Sequence, residues 1–285
     1  MLLGNLQQIH IEFITWQLLT ALKYIHSASV VHRDLKPSNI LVNAKCGLRL
    51  CDFGNARSVV AHDPDRRSPI PKEYEALSST SVLRMTNYCS SRWYRSPEQL
   101  VNCRNYGTGV DMWSLGCVLG ELIQRKPIFP GTCTFLQLSL IVHLTGRPPD
   151  VDLLGINSKY VVQILEGLGN SKQGKISDVV PGGSRDAQDL IHLCLQFSPD
   201  KRITAIEALE HPFVGHFHNP DAEPLHSSAS MGGVRLDLCD DVQYPVSAYR
   251  DHVYAQILGN KRLKDQISRD RLIRENLLKG SVPSN

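Results

Sequence analysis

The 285-residue chain has no run of apolar residues approaching the length of a bilayer-spanning helix, so no membrane span is expected. It also has little net charge, +3 from 31 basic and 28 acidic side chains. A balance that close gives no argument for nucleic acid or an anionic membrane, and it reads as a mildly basic solvated surface. None of the eight cysteines (Cys46, Cys51, Cys89, Cys103, Cys117, Cys133, Cys194 and Cys239) forms Cys-x-x-Cys. Several lie within apolar runs, as in residues 115–119, so buried reduced thiols are expected rather than a disulfide framework or a zinc site. Reduced thiols point to the cytoplasm, and by the same argument to the nucleus. Met1-Leu2-Leu3-Gly4-Asn5 lacks the basic start and unbroken apolar stretch of a signal peptide. No internal repeat is found.

What is present has a legible organisation. Ile14, Leu18, Leu22 and Ile25 recur at helical spacing and predict an amphipathic helix over about residues 8–26. Ile40-Leu41-Val42 and Leu48-Arg49-Leu50-Cys51 are short strand candidates around a turn at Lys45-Cys46-Gly47. Residues 110–123 are apolar on nearly every face, the mark of a buried central helix. Further helices are expected at 134–144, 185–196 and 203–209, the last with Thr204 near its start. Residues 62–81, rich in Pro, Ser, Arg and Asp, and the Gly-rich stretch 167–183 read as loops. Past Pro224 the composition shifts. Residues 242–258 carry a moderate apolar pattern suited to docking on the preceding body. Residues 260–279 alternate charges, with Ile267, Leu272, Ile273, Leu277 and Leu278 at roughly helical spacing. That segment is either a solvated terminal helix or a helix that binds a partner.

Between the first helix and the hairpin stands His32-Arg33-Asp34-Leu35-Lys36-Pro37-Ser38-Asn39, followed by Asp52-Phe53-Gly54 and later by Ser96-Pro97-Glu98. A reactive loop held between a helix and a hairpin has the rigid flanks that positioning requires. Phosphoryl transfer asks for little covalent chemistry from protein; positioning and charge neutralisation dominate. The string resembles the catalytic loop that carries this chemistry in protein kinases, which implies that Asp34 is the base that receives the proton of a substrate hydroxyl and that Lys36 reaches the γ-phosphate. Asn39 and Asp52 hold Mg²⁺. Singly, each is an ordinary turn residue or surface charge; together, at this spacing, that reading loses its force.

These motifs resemble the catalytic loop, the metal-binding segment and the Ala-Pro-Glu of protein kinases. The resemblance implies a protein-kinase-like fold, a mainly α-helical C-terminal lobe with a small β-hairpin, and ATP and Mg²⁺ as cofactors. The 31 residues before His32 contain neither Gly-x-Gly-x-x-Gly nor Val-Ala-Ile-Lys, so no N-terminal β lobe is expected. The division that follows is 1–217 for the lobe, comprising catalytic loop, activation segment and helical bundle, then 218–258 for an extension and 259–285 for a charged helical tail.

Within the kinases, His32 to Leu41 is similar to the mitogen-activated form of the loop, and Thr86-Asn87-Tyr88 stands where that family has its Thr-x-Tyr switch. Arg92-Trp93-Tyr94-Arg95-Ser96-Pro97-Glu98, Ile128-Phe129-Pro130-Gly131 and His211-Pro212-Phe213 also fit. Residues 109–117, 129–132 and 198–202 and the Val253-Tyr254 region resemble the atypical extracellular signal-regulated kinase 7/8 (mitogen-activated protein kinase 15) branch. The likeness spans about residues 8–258.

It implies that Leu41 and Cys51 floor the adenine site, that Asp111 braces the backbone of the catalytic loop, and that Arg202 pairs with Glu98. Phosphates on Thr86 and Tyr88, placed by an upstream kinase or by the chain itself, would meet Arg33 with Arg57 and Arg92 with Arg95 respectively. The loop so ordered would open a groove at Ser90-Ser91-Arg92 for protein substrates with Pro after the target Ser or Thr. Asn87 and Ser96 depart from the family pattern. Arg66-Arg67-Ser68-Pro69 is either an added phosphosite or an exposed basic turn. Of the acidic patch that docks basic peptides, Asp221 and Glu223 remain beside Asn219 and Ala222, so weak docking is expected. Two functions follow. One is an ATP-dependent Ser/Thr kinase of mitogen-activated type. The other is a catalytically silent lobe that binds substrates or activators, since an ATP site without its covering lobe is half open to water. On the second reading the chain alone transfers negligibly.

Overall fold

Ile11, Ile14, Thr15, Leu18, Leu19 and Leu22 fall three or four apart and make the buried stripe of α1, Gln8–Ser27. The helix opens with a reciprocal pair: the Gln7 backbone N–H donates to His10 Nδ1 at 3.0 Å. It closes where Ser29 takes a left-handed φ of 57°. The computed structural model to which these elements belong describes residues 6–59, 89–101, 103, 107–149, 165–167, 173–227 and 244–279. They divide into two units, Met1–Asp63 with Thr86–Arg235, and Pro64–Met85 with Leu236–Asn285.

In the first unit, α1 leads to β1, Val30–Val31, then to the hairpin of β2, Ile40–Val42, and β3, Leu48–Leu50. The hairpin is antiparallel, with Ile40 opposite Leu50 and Val42 opposite Leu48. Cys46 turns the chain between them at φ 57°. A second antiparallel pair went unanticipated: β1 joins β4, Arg57–Ser58, with Val31 opposite Arg57. Two-residue strands carry no periodicity, so nothing in the sequence announces them.

The helical body follows as α2, Pro97–Leu100, α3, Gly109–Gln124, α4, Thr134–Thr145, α5, Ile176–Val179, α6, Arg185–Cys194, and α7, Ala205–Leu209. All residues of α3 from Val110 to Gly120 are buried. α3 packs on α6 and on α1, and α1 packs on α7. At the α3–α6 crossing a Cβ on Gly116 would stand 2.8 Å from Cys194 Cβ, so the helices can approach only because position 116 has no side chain. α7 begins two residues later than its apolar pattern suggests. Thr204 accepts from the Glu207 N–H at 3.2 Å while Glu207 accepts from the Thr204 N–H at 2.8 Å, a capping box that fixes the start. The expected loop over 167–183 contains the short helix α5 at Ile176–Val179. Residues 62–81 and the Arg66 to Pro69 motif lie outside the described residues.

Cys103, Cys117 and Cys194 are buried free thiols, Cys46 and Cys51 are half-buried, and Cys133 is exposed. Burial pushes the Cys194 thiol up to about 12, so it stays protonated and inert at neutral pH. Among the described residues no helix is long and apolar enough to cross a membrane.

The second unit holds α8, Val246–Lys279, a 34-residue helix about 50 Å long at 1.5 Å per residue. It runs without interruption across the expected boundary at 258/259, through Gly259 and Asn260. Its first turn is buttressed by the Tyr244 N–H, which donates to the Tyr249 hydroxyl at 3.2 Å. Val253, Tyr254, Ile257 and Leu258 are exposed.

Candidate functional site

Asp111 begins the construction of the site. It lies in the first turn of α3, fully buried, and its carboxylate accepts the backbone N–H groups of His32 and Arg33, each at 2.8 Å. His26 Nε2 meets the same carboxylate at 2.9 Å. Arg33 takes a left-handed φ of 69°, a conformation disfavoured by about 1–2 kcal/mol for a residue with a Cβ. Two charge-assisted bonds offset that cost and set the direction in which the chain enters Asp34.

His32, also fully buried, ties this loop to the next segment. Its Nδ1 accepts the Asp34 N–H at 3.4 Å, and its Nε2 faces the Cys51 carbonyl at 3.0 Å. With Nδ1 taken as the acceptor of the Asp34 N–H, Nε2 is the nitrogen left to donate to the Cys51 carbonyl. The ring edge rests on Phe53 at 4.9 Å. The chain from Cys51 to Phe53 is thereby fastened to Asp34.

The Asp34 carboxylate is half-buried. On Oδ2 it accepts from Lys36 Nζ at 2.7 Å, from Asn39 Nδ2 at 3.5 Å and from Asn55 Nδ2 at 3.4 Å. Asn39 Nδ2 also donates to the Asp34 carbonyl at 2.8 Å. The Asn39 carbonyl accepts from both the N–H and the thiol of Cys51, at 2.9 and 3.3 Å. Asp52 follows at a left-handed φ of 64°, its exposed carboxylate accepting, among the described residues, only the Gly54 N–H at 3.4 Å. Asn39 therefore spends its nitrogen on Asp34 and keeps its side-chain oxygen, beside a segment that presents a carboxylate. Amide and carboxylate oxygens suit a hard divalent cation, so these two residues fit Mg²⁺. Leu41 is 56% exposed on β2 and Cys51 is half-buried just past β3.

On the far side of Asp34, burial pulls the Arg95 guanidinium below its ordinary value; Asp34 opposes this and Arg92 adds to it. The three share one electrostatic neighbourhood. Arg92 donates to the Thr132 carbonyl at 3.0 Å and Trp93 Nε1 to the Gly131 carbonyl at 3.2 Å. Gly131 is clasped in turn: its N–H donates to Gln137 Oε1 at 3.0 Å, and a Cβ there would stand 2.6 Å from the Gln137 backbone. Arg57 lies on β4 opposite Val31, and Val31 stands two residues before Arg33 in the chain. Thr86 and Tyr88 lie outside the described residues.

Glu98 and Arg202 form a two-pronged ion pair at 2.5 and 2.7 Å, both side chains buried. Arg202 donates further to the carbonyls of Gln196, Phe197 and Gly109 and lies over the Trp113 ring at 5.1 Å. One residue on, buried Gln99 accepts both the N–H and the hydroxyl of Ser96 at 3.1 Å and donates to the Arg33 carbonyl at 3.4 Å. Ser96, a departure from the family pattern, thus has a partner that links α2 to the catalytic loop.

One expectation needs correction. Glu223 is no surface acid: its side chain is fully buried and accepts from Trp16 Nε1 at 2.8 Å, Lys23 Nζ at 3.2 Å, His218 Nδ1 at 3.0 Å and the Asn219 N–H at 3.1 Å. It fastens residues 218–223 to α1 and has nothing left for a docking peptide. Asp221 stays exposed. Sequence reasoning also passes over Asn55, Gln99 and the ring of His32. His32 alone had a signal, its place in the motif; the other two are polar residues without a pattern. Among the described residues there is no cluster of three or more His, Cys, Asp or Glu side chains placed to hold a metal.

Residues 3–214 match the family model for the protein kinase domain. The chain is 43% identical to extracellular signal-regulated kinase 2 of Dictyostelium discoideum, over 90% of this chain and 65% of that protein. It is 41% identical to mitogen-activated protein kinase 15 of Xenopus laevis and 42% to that of Rattus norvegicus, again over 90% of this chain. In those two it covers 41% and 44% of the relative's length. The chain thus spans between two fifths and two thirds of the relatives it matches.

Proposed function

The chain belongs to the protein kinase family, similar within it to the mitogen-activated kinases of the kinase 15 branch, and from that premise we propose that it transfers the γ-phosphate of ATP to Ser and Thr of protein substrates. The observation that carries this reading is the Asp34 carboxylate held on one oxygen by Lys36, in a loop anchored through Asp111. The substrate hydroxyl oxygen forms a bond to the γ-phosphorus as the bond to the bridging oxygen breaks and ADP leaves. The hydroxyl proton passes to Asp34. Lys36, already at the carboxylate, extends its ammonium toward the transferred group. Asn39 and Asp52 would hold Mg²⁺ through their side-chain oxygens, and the ion would supply neutralisation of phosphate charge. Leu41 and Cys51 form the apolar floor for adenine.

Phosphates on Thr86 and Tyr88 are the switch, received by Arg33 with Arg57 and by Arg92 with Arg95. The clamp of Arg92 and Trp93 onto Gly131 and Thr132 supports this, because it holds the substrate-facing segment in one place. Proline after the target residue is the expected preference. Asp221 alone remains for basic docking peptides. Reduced thiols favour the cytoplasm, with the nucleus as a second location.

The test is to recover the endogenous protein through an antibody to residues 246–258, phosphorylated at Thr86 and Tyr88, and to measure transfer to Ser-Pro and Thr-Pro peptides. Transfer that disappears in the Asp34→Asn allele is expected. Absence of transfer from the doubly phosphorylated protein overturns the reading.

A further inference from the structure

Three donors from two segments, Lys36 and Asn39 of one loop and Asn55 of the next, converge on Oδ2 of Asp34, and among the described residues none reaches Oδ1. Two of the donors have other work. Lys36 must turn toward the phosphate, and Asn39 divides its amide between the Asp34 carboxylate and the Asp34 carbonyl. The third, Asn55, stands at the end of the 3₁₀ turn Phe53–Asn55, and among the described residues its amide makes no other hydrogen bond. Its backbone is held indirectly: the Ala56 N–H donates to the Phe53 carbonyl at 3.0 Å, and Phe53 packs on the His32 ring. An amide here donates without adding charge, so it steadies a carboxylate without competing for the phosphate as a second ammonium would.

We propose that Asn55 is a positioning residue for the base: it keeps Oδ2 of Asp34 engaged when Lys36 moves to the phosphate, and so leaves Oδ1 as the oxygen that takes the hydroxyl proton. This deepens the kinase reading and rests on it. The 3.4 Å separation is that of a resting site, where hydrogen bonds to catalytic groups are commonly long and tighten with substrate bound. Without that donor the Asp34 side chain would be free to leave its staggered well about the Cα–Cβ bond and carry the whole carboxylate away from the hydroxyl.

The test uses the full chain with ¹³Cγ-labelled aspartate. The three-bond couplings from the backbone to Asp34 Cγ report the rotamer about its Cα–Cβ bond, and so where the carboxylate is held, without any turnover. The wild type is expected to show one rotamer. Asn55→Leu, which removes the donor, and Asn55→Asp, which keeps the shape but replaces the donor with a like charge, should both show averaged couplings. Asn55 is exposed, so both variants should keep the wild-type circular dichroism. Couplings unchanged in both variants overturn the proposal. In the phosphorylated endogenous protein, Asn55→Leu should lower kcat about tenfold with KM for ATP within about twofold. Averaged couplings with an unchanged kcat would also overturn it. A wild type that transfers no phosphate would instead sink the kinase reading, while the couplings still decide whether Asn55 holds the base.

Discussion

Glu98 and Asp34 each meet a cation, Glu98 through bonds of 2.5 and 2.7 Å to Arg202 and Asp34 through one bond of 2.7 Å to Lys36. The side chains of the first pair are 1% and 0% exposed, those of the second 12% and 19%. Both oxygens of Glu98 are engaged by a planar fork that cannot leave. Asp34 keeps one oxygen without a donor among the described residues, and its ammonium sits on a flexible stem. A buried pair satisfied on every side holds segments together and does no chemistry. A half-open pair adds little stability and can accept a proton. Asp111 and Glu223 belong with Glu98, since each closes on donors from distant parts of the chain.

The contrast is broken most directly by Glu98→Ala, which strands the Arg202 charge. A loss of about 3–5 kcal/mol in urea unfolding of the full chain is expected. A loss under about 1 kcal/mol would erase the distinction between the pairs. Asp111→Asn should cost about 2–3 kcal/mol, because one acceptor facing the His32 and Arg33 N–H groups becomes a donor. It should also reduce phosphate transfer, since Arg33 leads directly into Asp34.

Glu223→Gln is expected to cost about 1.5–3 kcal/mol near neutral pH, and its pH dependence sharpens the comparison. Burial by itself raises this carboxyl, but the bonds from Trp16, Asn219, His218 and Lys23 together hold it below the ordinary range. Its folded value therefore lies below the unfolded value of about 4.3, so its contribution is present above that pH and is lost as pH falls through the folded value. The stability gap between wild type and Glu223→Gln should hold from about pH 7 to 5 and shrink below about pH 4. A gap that widens in acid would reverse the assigned sign.

The smallest change in stability is expected from Asp34→Asn, under about 1 kcal/mol in the same urea titration. That variant should lower transfer by about 10²–10⁴-fold. A large loss of stability there would make Asp34 a structural carboxylate like Glu98.

The helical body was legible because its signals are local. The spacing from Ile14 to Leu22, the apolar run of α3 and the Thr204 cap each lie within a few turns of one helix. The grouping of His32, Asp34, Lys36 and Asn39 on one loop was legible for the same reason: the motif is compressed into eight consecutive residues. The β1–β4 pair, the uninterrupted run of α8 through Gly259 and the burial of Glu223 were not. Each depends on what a residue meets elsewhere, and a glutamate two residues from Asp221 reads as surface in any local window.

By itself the sequence determined which chemical groups the site would have and on which kinds of element they would stand, since residue type and periodicity are written along the chain. The tertiary structure decided which carboxylates are closed and which one stays open. That choice rests on pairs such as Asp34 with Asn55, Glu98 with Arg202 and Trp16 with Glu223. Such pairs are set by packing across the fold, where a hydrogen bond is made or lost over a few tenths of an ångström.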